Sequence, residues 1–266
     1  MDKYISYENI IGCFDEIARG DIVYVVSDVL ALSVKARENK ERMDLNRLID
    51  SILNKVGPEG TVLIPTFNWD FCKGETFDIR KTVSRTGALG NAALKRADFK
   101  RSKHPLYSFM IWGKDRELLT EMDPKDAFGA DSVFGYLHRN KAKALVIGLP
   151  TLSGLTFIHY VEQMVGVPYR YSKDFTAGYV DANGSESQKT YSMYVRDLDM
   201  DPRHIDGFRP LGDILEHKGI SINYCINEVE FHIVDLERMY AVVEDDIVNN
   251  DSKNMYYYNH LTGRFD

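Results

Sequence analysis

Cysteine is scarce in this sequence, with three residues, Cys13, Cys72 and Cys225, among 266. An odd, sparse set does not predict a disulfide framework, and no pair has the spacing of zinc ligands. No apolar run approaches the roughly 18 residues that a membrane span needs. The first twenty residues carry acidic side chains throughout, unlike a secretory signal. We therefore predict a cytoplasmic protein without a metal site and without membrane association.

Basic residues are in the minority, since 33 Lys and Arg stand against 40 Asp and Glu, for a formal net charge of −7. Nucleic-acid binding needs a concentrated basic face, so this balance argues against it. Neither of the glycine-rich phosphate-binding patterns, G-x-x-x-x-G-K-[ST] or G-x-G-x-x-G, occurs. The length suits one large domain, and no linker divides the chain. We predict a single domain over residues 1–266.

Strand and helix patterns alternate along the first part of the chain. DIVYVVSDV and TVLIPTFNW are continuous apolar runs, typical of strands buried on both faces. Between them, DLNRLIDSILNKVGPEG predicts a helix that ends at Gly57 and Pro58. Strand, helix, strand is typical of an α/β sheet. Upstream, ENIIGCFDEIARG predicts one amphipathic helix that ends at Gly20.

Further elements follow towards the C-terminus. TFIHYVEQMVG predicts a helix with Thr156 near its start, and GYVDANGSESQKTYSMYV predicts a hairpin around Asn183–Gly184. Residues 244–266 form a polar and then aromatic tail with three consecutive tyrosines. Such a run needs a surface, so we expect the tail to dock on its own domain or on a partner subunit. The sequence therefore leaves open whether the protein forms a homodimer.

His159 and Glu162 are the first chemical candidates. On a helix, residues three apart share a face, so their side chains could hydrogen-bond. A carboxylate beside an imidazole fixes its tautomer and raises its basicity, which is how a general base is activated. For an isolated His-x-x-Glu the commoner explanation is a helix-start histidine beside a solvated glutamate.

Three other candidates have structural alternatives of their own. In RSKHPLYSF, His104 precedes a proline, and Arg101 could meet a phosphate, although a solvated basic loop explains both. Ser84 stands just before a predicted helix, where an anion or ordinary capping would suit it. Cys72 beside Lys73 could serve a cysteine-dependent hydrolase, an alternative function from a different reaction class.

The order of several segments is more specific than any one of them. VVSDVLAL, VGPEGTVLIPTF, TVSRTGALGNAAL, RSKHPLYSFMIWG and VIGLPTLSGLTFIHYVE together resemble the aminoglycoside 3-N-acetyltransferase family. The resemblance runs from about Gly20 to Tyr169 and is thinner beyond. Its most specific parts are Arg101-Ser102-x-His104-Pro105 and Thr156-x-x-His159-x-x-Glu162.

This resemblance implies a three-layer α/β/α sandwich with a central mixed sheet. It implies transfer of an acetyl group from acetyl-CoA, or another acyl-CoA, to an amine of an amino sugar. His159 would be the base, Glu162 would orient it, and Thr156 would lie near the thioester. The segments along the coenzyme's path would contribute Ser27, Thr66, Ser84, Arg101, Ser102 and His104.

The sequence departs from the family in two places. The family often reads His-Ser-Ser at the end of its first strand, where this chain has Val26, Ser27 and Asp28. The loop PTFNWDFCKGETFD is more similar to relatives that acylate nucleotide-linked amino sugars for surface polysaccharide. This loop slightly favours such an acceptor over an aminoglycoside. A non-catalytic, sugar-binding relative is a further alternative.

Overall fold

The computed structural model describes residues 4–150, 152, 154–200, 203–205 and 208–257. The strands are β1 Ile22–Ser27, β2 Thr61–Pro65, β3 Phe77–Asp78, β4 Lys100–Arg101, β5 Phe109–Gly113, β6 Lys143–Ile147, β7 Arg170–Val180, β8 Glu186–Arg196, β9 Arg203–His204, β10 Ser221–Ile226, β11 Val229–Asp235 and β12 Tyr256–Tyr257. The helices are α1 Tyr7–Ile10, α2 Leu30–Glu38, α3 Leu45–Val56, α4 Ala88–Ala93, α5 Arg116–Glu121, α6 Val133–Arg139, α7 Phe157–Val165, α8 Arg209–His217 and α9 Leu236–Asn250.

Seven of these strands form a central sheet in the order β10-β11-β6-β1-β2-β5-β4. β1 lies parallel to both β2 and β6. The pairs β2–β5, β4–β5, β6–β11 and β10–β11 are antiparallel. The sheet is therefore mixed, with a parallel centre and antiparallel flanks.

The side chains of β1 alternate between the two faces of this sheet, as the period of a strand requires. Tyr24 and Val26 pack into one hydrophobic cluster with α6, α7 and α9. Val23 and Val25 pack into a second cluster with α1, α3 and α4. Helices thus cover both faces, and the predicted three-layer α/β/α sandwich with a central mixed sheet is confirmed.

The predicted hairpin is confirmed, while the predicted N-terminal helix is too long. β7 and β8 pair antiparallel around Asp181, whose carboxylate accepts the backbone N–H of Asn183 at 2.8 Å and of Ser185 at 2.9 Å. At the N-terminus, helical structure ends in a short 3-10 helix at Cys13 rather than at Gly20. Phe14 is extended there and is fully buried beside Phe231, with ring centroids 5.4 Å apart. The backbone leaves the helical conformation at Phe14, where this ring is buried.

The C-terminal part of the described chain returns to the body of the protein. Residues 244–250, the first part of the predicted tail, continue α9. Asp251 and Ser252 have φ angles of 52° and 58°, which reverse the chain direction. β12 then pairs antiparallel with β9. Residues 258–266 of the predicted tail lie outside the described residues. Among the described helices, none has the length and apolar character to cross a membrane.

Candidate active site

The first turn of α7 lies where the parallel strands end. β1, β2 and β6 run in the same direction, so their carboxyl ends meet at one edge of the sheet. The loop after β6 crosses the end of β1 closely, since a Cβ on Gly148 would lie 2.1 Å from the backbone oxygen of Asp28. In open α/β sheets, ligands bind at this edge, where neighbouring connections run in opposite directions. α7 therefore carries its first turn into the expected ligand crevice.

His159 and Glu162 meet on this helix. Nδ1 of His159 lies 2.7 Å from Oε2 of Glu162. The Glu162 side chain is fully buried, whereas the His159 side chain is 24% exposed. The i, i+3 spacing thus produces a contact in which one partner is inside the protein and the other can be reached from outside.

Two residues that the sequence does not connect to Glu162 complete its surroundings. Arg170, at the start of β7, forms an ion pair with Oε2 through Nε at 2.7 Å, and its side chain is 6% exposed. Tyr256, in β12, donates its hydroxyl to Oε1. No local spacing could have indicated these contacts, because they join separate elements of the fold.

Arg170 changes the charge balance of the histidine and glutamate. Burial by itself raises the pKa of Glu162, but Arg170 and His159 outweigh it and hold that pKa at about 2. Burial lowers the pKa of His159, Arg170 lowers it further, and Glu162 opposes them only in part. The carboxylate is therefore ionised and the imidazole neutral at neutral pH.

A neutral imidazole against a carboxylate has a defined tautomer. The proton lies on Nδ1, which donates to Glu162, so Nε2 carries the free lone pair. In the part of the chain that the structure describes, Nε2 has no hydrogen-bond partner. Phe128 packs edge-on against the ring, with centroids 5.9 Å apart. This arrangement can take a proton at Nε2 and return it.

Thr156 precedes α7 and lies one turn before His159. Its hydroxyl is 3.4 Å from the backbone oxygen of Gly154, a long contact that holds it weakly. Residues three apart on a helix share a face. Thr156 and His159 thus both lie at the N-terminal end of α7.

The family model for aminoglycoside 3-N-acetyltransferases matches residues 32–247. The chain belongs to the aminoglycoside 3-N-acetyltransferase family. The predicted family and the predicted enzyme class, a CoA-dependent N-acetyltransferase, are thereby confirmed.

Solved structures share the fold of this acetyltransferase. A binary complex of AAC-IIIb with CoASH has a TM-score of 0.77 at 19% identity, over 93% of this chain and 98% of the other. Sisomicin-bound AAC-VIa has a TM-score of 0.75 at 15% identity, over 93% and 99%. The YokD protein from Bacillus subtilis has a TM-score of 0.73 at 19% identity, over 95% and 97%. No curated protein matches the chain in sequence.

Most of the predicted coenzyme residues of the acetyltransferase are inside the protein. Ser27 is half-buried at the end of β1. The other predicted residues are at most 8% exposed: Thr66, Ser84, Arg101, Ser102 and His104. The Thr66 hydroxyl bonds to Ser108, and Ser102 Oγ accepts the backbone N–H of Phe109 at 2.9 Å. Their polar atoms thus join segments of the protein to one another.

Arg101 is the clearest example. Its guanidinium donates to Ser108 Oγ at 3.0 Å and to the backbone oxygens of Thr66 at 3.0 Å and Thr82 at 2.6 Å. It also lies 4.7 Å from the centroid of the Phe77 ring. Burial lowers its pKa to about 10, so it stays charged at neutral pH. Arg101 ties the loop before α4 to β2 and β5.

Ser84 and His104 have similar internal contacts. Ser84 Oγ accepts the backbone N–H of Thr86 at 3.1 Å, within the loop before α4, whose N-cap is Gly87. His104 Nδ1 accepts the backbone N–H of Tyr107 at 3.3 Å, and its ring packs on Tyr191 with centroids 4.9 Å apart. Burial lowers the pKa of His104 to about 4, so it is neutral at neutral pH.

The cysteine alternative lacks an activated thiol. Burial raises the pKa of Cys72, and nearby Lys173 and Lys73 lower it by less. A nucleophilic cysteine needs the opposite shift. Among the described residues, no group of three or more His, Cys, Asp and Glu is arranged to hold a metal ion.

Proposed function

We propose that this acetyltransferase moves the acetyl group of acetyl-CoA to an amine of an amino sugar, with His159 as the general base. One observation carries the proposal: a reachable imidazole is held by a buried carboxylate whose charge Arg170 already balances. A histidine paired with a lone carboxylate tends to be protonated. Burial and then Arg170 lower the pKa of this one and keep it neutral and able to accept a proton.

His159 makes the amine a nucleophile. An ammonium group has no lone pair for attack, so the acceptor first releases one proton to water and reacts as the neutral amine, and Nε2 of His159 takes a second proton from the nitrogen as the new C–N bond forms. Nε2 then donates this second proton to the sulfur atom of CoA, which leaves as the C–S bond breaks. A positioned base of this kind contributes about 10²–10⁴-fold in rate. The Thr156 hydroxyl donates to the carbonyl oxygen as negative charge develops there.

Acetyl-CoA, when bound, supplies the activated acyl group as a thioester. The edge of the sheet offers uncharged groups suited to a pantetheine arm, namely Ser27 and the backbone beside it. Gly87 lies close to Ser27, since a Cβ there would be 3.4 Å from the Ser27 backbone oxygen. Asp28 accepts the backbone N–H of Leu30 at 2.9 Å, which directs its carboxylate to the start of α2. We propose that five buried residues fix the shape of this edge from inside the protein: Thr66, Ser84, Arg101, Ser102 and His104.

We infer an aminoglycoside acceptor from membership of the aminoglycoside 3-N-acetyltransferase family, and one acidic side chain that contacts α7 is compatible with it. Asp126 accepts from the Gln163 side chain at 2.6 Å, one turn beyond His159, and its carboxylate suits a cationic sugar. A nucleotide-linked sugar would need available basic groups. Among the basic side chains, Arg80 pairs with Asp78 at 3.0 Å and Arg170 is buried against Glu162. We further propose that residues 1–266 act as one acyltransferase domain.

The direct experiment is an acceptor screen. Purified protein, acetyl-CoA and one amine at a time are combined, and release of free thiol is followed with a chromogenic disulfide. We expect turnover with at least one aminoglycoside and little with nucleotide-linked amino sugars. Turnover confined to nucleotide-linked sugars would reverse the acceptor assignment. Absence of turnover with both classes, together with no acetyl-CoA-induced rise in melting temperature, would refute the enzymatic proposal.

A further inference from the structure

The segment after α9 is built into a fixed turn. Asp246 is buried and accepts the side-chain N–H groups of Asn250 and Asn254, each at 2.6 Å. Ser252 is also buried and its hydroxyl bonds to that of Tyr169 at 3.0 Å. These contacts bring the chain from the end of α9 back towards α7 and β7.

This turn delivers Tyr256 to the interior. Tyr256 is 1% exposed, and its ring packs against Tyr169 at 5.0 Å and Phe208 at 6.0 Å between centroids. Its neighbour Tyr257 is 52% exposed. The alternation of a strand thus directs one of two adjacent tyrosines inwards, and the inward hydroxyl donates to Oε1 of Glu162.

The two carboxylate oxygens of Glu162 have different partners. Oε2 faces His159 and Arg170, and Oε1 faces Tyr256. A carboxylate rotates easily about its terminal bond unless both oxygens are held. The Tyr256 hydroxyl therefore prevents a rotation that would turn Oε2 away from the imidazole.

We propose that Tyr256 is a positioning residue, which fixes the Glu162 carboxylate and thereby makes the base depend on docking of the segment Asp251–Tyr257. The inference rests on the proposed role of His159. Tyr256 lies beyond residues 32–247, so family membership does not assign it. The acetyltransferase thus uses its own C-terminal segment to complete the support of its base.

The test compares Tyr256→Phe with Tyr257→Phe, two removals of one hydroxyl on adjacent residues. Tyr256→Phe removes a hydrogen bond to a charged group, and we therefore expect its kcat to fall by about ten-fold. We expect the KM for acetyl-CoA to be unchanged and Tyr257→Phe to behave as wild type. Equal kcat in Tyr256→Phe and wild type would overturn the proposal.

A double-variant cycle separates positioning from a general structural effect. If Tyr256 acts through Glu162, then Tyr256→Phe should cost nothing further in a Glu162→Gln background. A full ten-fold additional loss in that background would assign the effect to the fold rather than to the carboxylate, and would contradict the proposal.

The titration of His159, followed by NMR, needs no substrate and so is independent of the proposed function. The charged and titratable groups facing this site are Glu162 on α7, Tyr169 before β7, Arg170 on β7, Tyr194 and Arg196 on β8, and Tyr256 on β12. Without the hydroxyl, the Glu162 carboxylate can turn Oε2 away from the imidazole and stabilises the imidazolium less, so the His159 titration should move to lower pH in Tyr256→Phe. An unchanged titration would refute the positioning role even if the protein acetylated no acceptor.

Discussion

Replacing Glu162 by glutamine removes a buried charge and keeps the side-chain size. Arg170 then remains in the interior without its counter-charge. Breaking a buried pair by removing one partner costs about 3–5 kcal/mol. The pKa of Glu162 gives a comparable figure, because it falls from 4.5 to about 2, which corresponds to about 3 kcal/mol of stabilisation of the folded state at neutral pH. We therefore expect Glu162→Gln to lower the free energy of unfolding by about 3 kcal/mol.

The sign of the pH dependence follows from the same shift. The folded-state pKa lies below the unfolded one, so the stabilisation is present above about pH 4.5 and is lost as the pH falls towards about 2. Urea denaturation of wild type and variant should differ most at neutral pH and converge in acid. Equal stability of the two proteins at pH 7 would refute the assigned ion pair.

Glu117→Gln is a matched control, since it removes a glutamate that pairs with Lys100 at 2.5 Å on the surface. Both side chains are more than half exposed, and surface pairs contribute little. We expect its denaturation midpoint to match wild type. In activity, Glu162→Gln should also lower kcat, and its acidic pH limb should move to lower pH because Glu162 no longer raises the pKa of His159.

Three other substitutions, one of them with a control variant, test separate parts of the structure. Cys72→Ala should retain full acetyl-transfer activity, and a large loss would revive a thiol mechanism. Gly90→Ala should lower the melting temperature, because its Cβ would lie 2.3 Å from the backbone oxygen of Pro65, whereas Gly12→Ala has nothing within 4 Å and should not. Arg101→Lys loses the planar fork that joins the buried loop segments and should destabilise the protein by about 2–4 kcal/mol in urea denaturation; unchanged stability with a raised KM for acetyl-CoA would instead place Arg101 on the coenzyme.

The parts of the fold that follow from local pattern could be predicted from the sequence. The β1 and β2 runs are continuous because these strands are covered on both faces. His159 and Glu162 are three apart on a helix, so their contact is a local consequence of helical geometry. The Asp181–Ser185 turn is equally local, since one aspartate bonds the backbone of its own loop.

Contacts between distant segments could not be predicted in this way. Arg170 reaches Glu162 only because β7 starts beside α7, and Tyr256 only because the chain turns back after α9. The N-terminal helix stops early for a similar reason, since Phe14 packs under β11. The family motif predicted Arg101 and His104 as coenzyme residues, and the motif could not indicate that both side chains are buried in the protein interior.

The central claim is that His159 is the base of an acetyl transfer, and His159→Ala tests it most directly. Steady-state release of thiol from acetyl-CoA should be measured with an acceptor that wild type uses, alongside the acetyl-CoA-induced shift in melting temperature. We predict that kcat falls by about 10²–10⁴-fold while the acetyl-CoA shift persists. Undiminished turnover in His159→Ala would contradict the account.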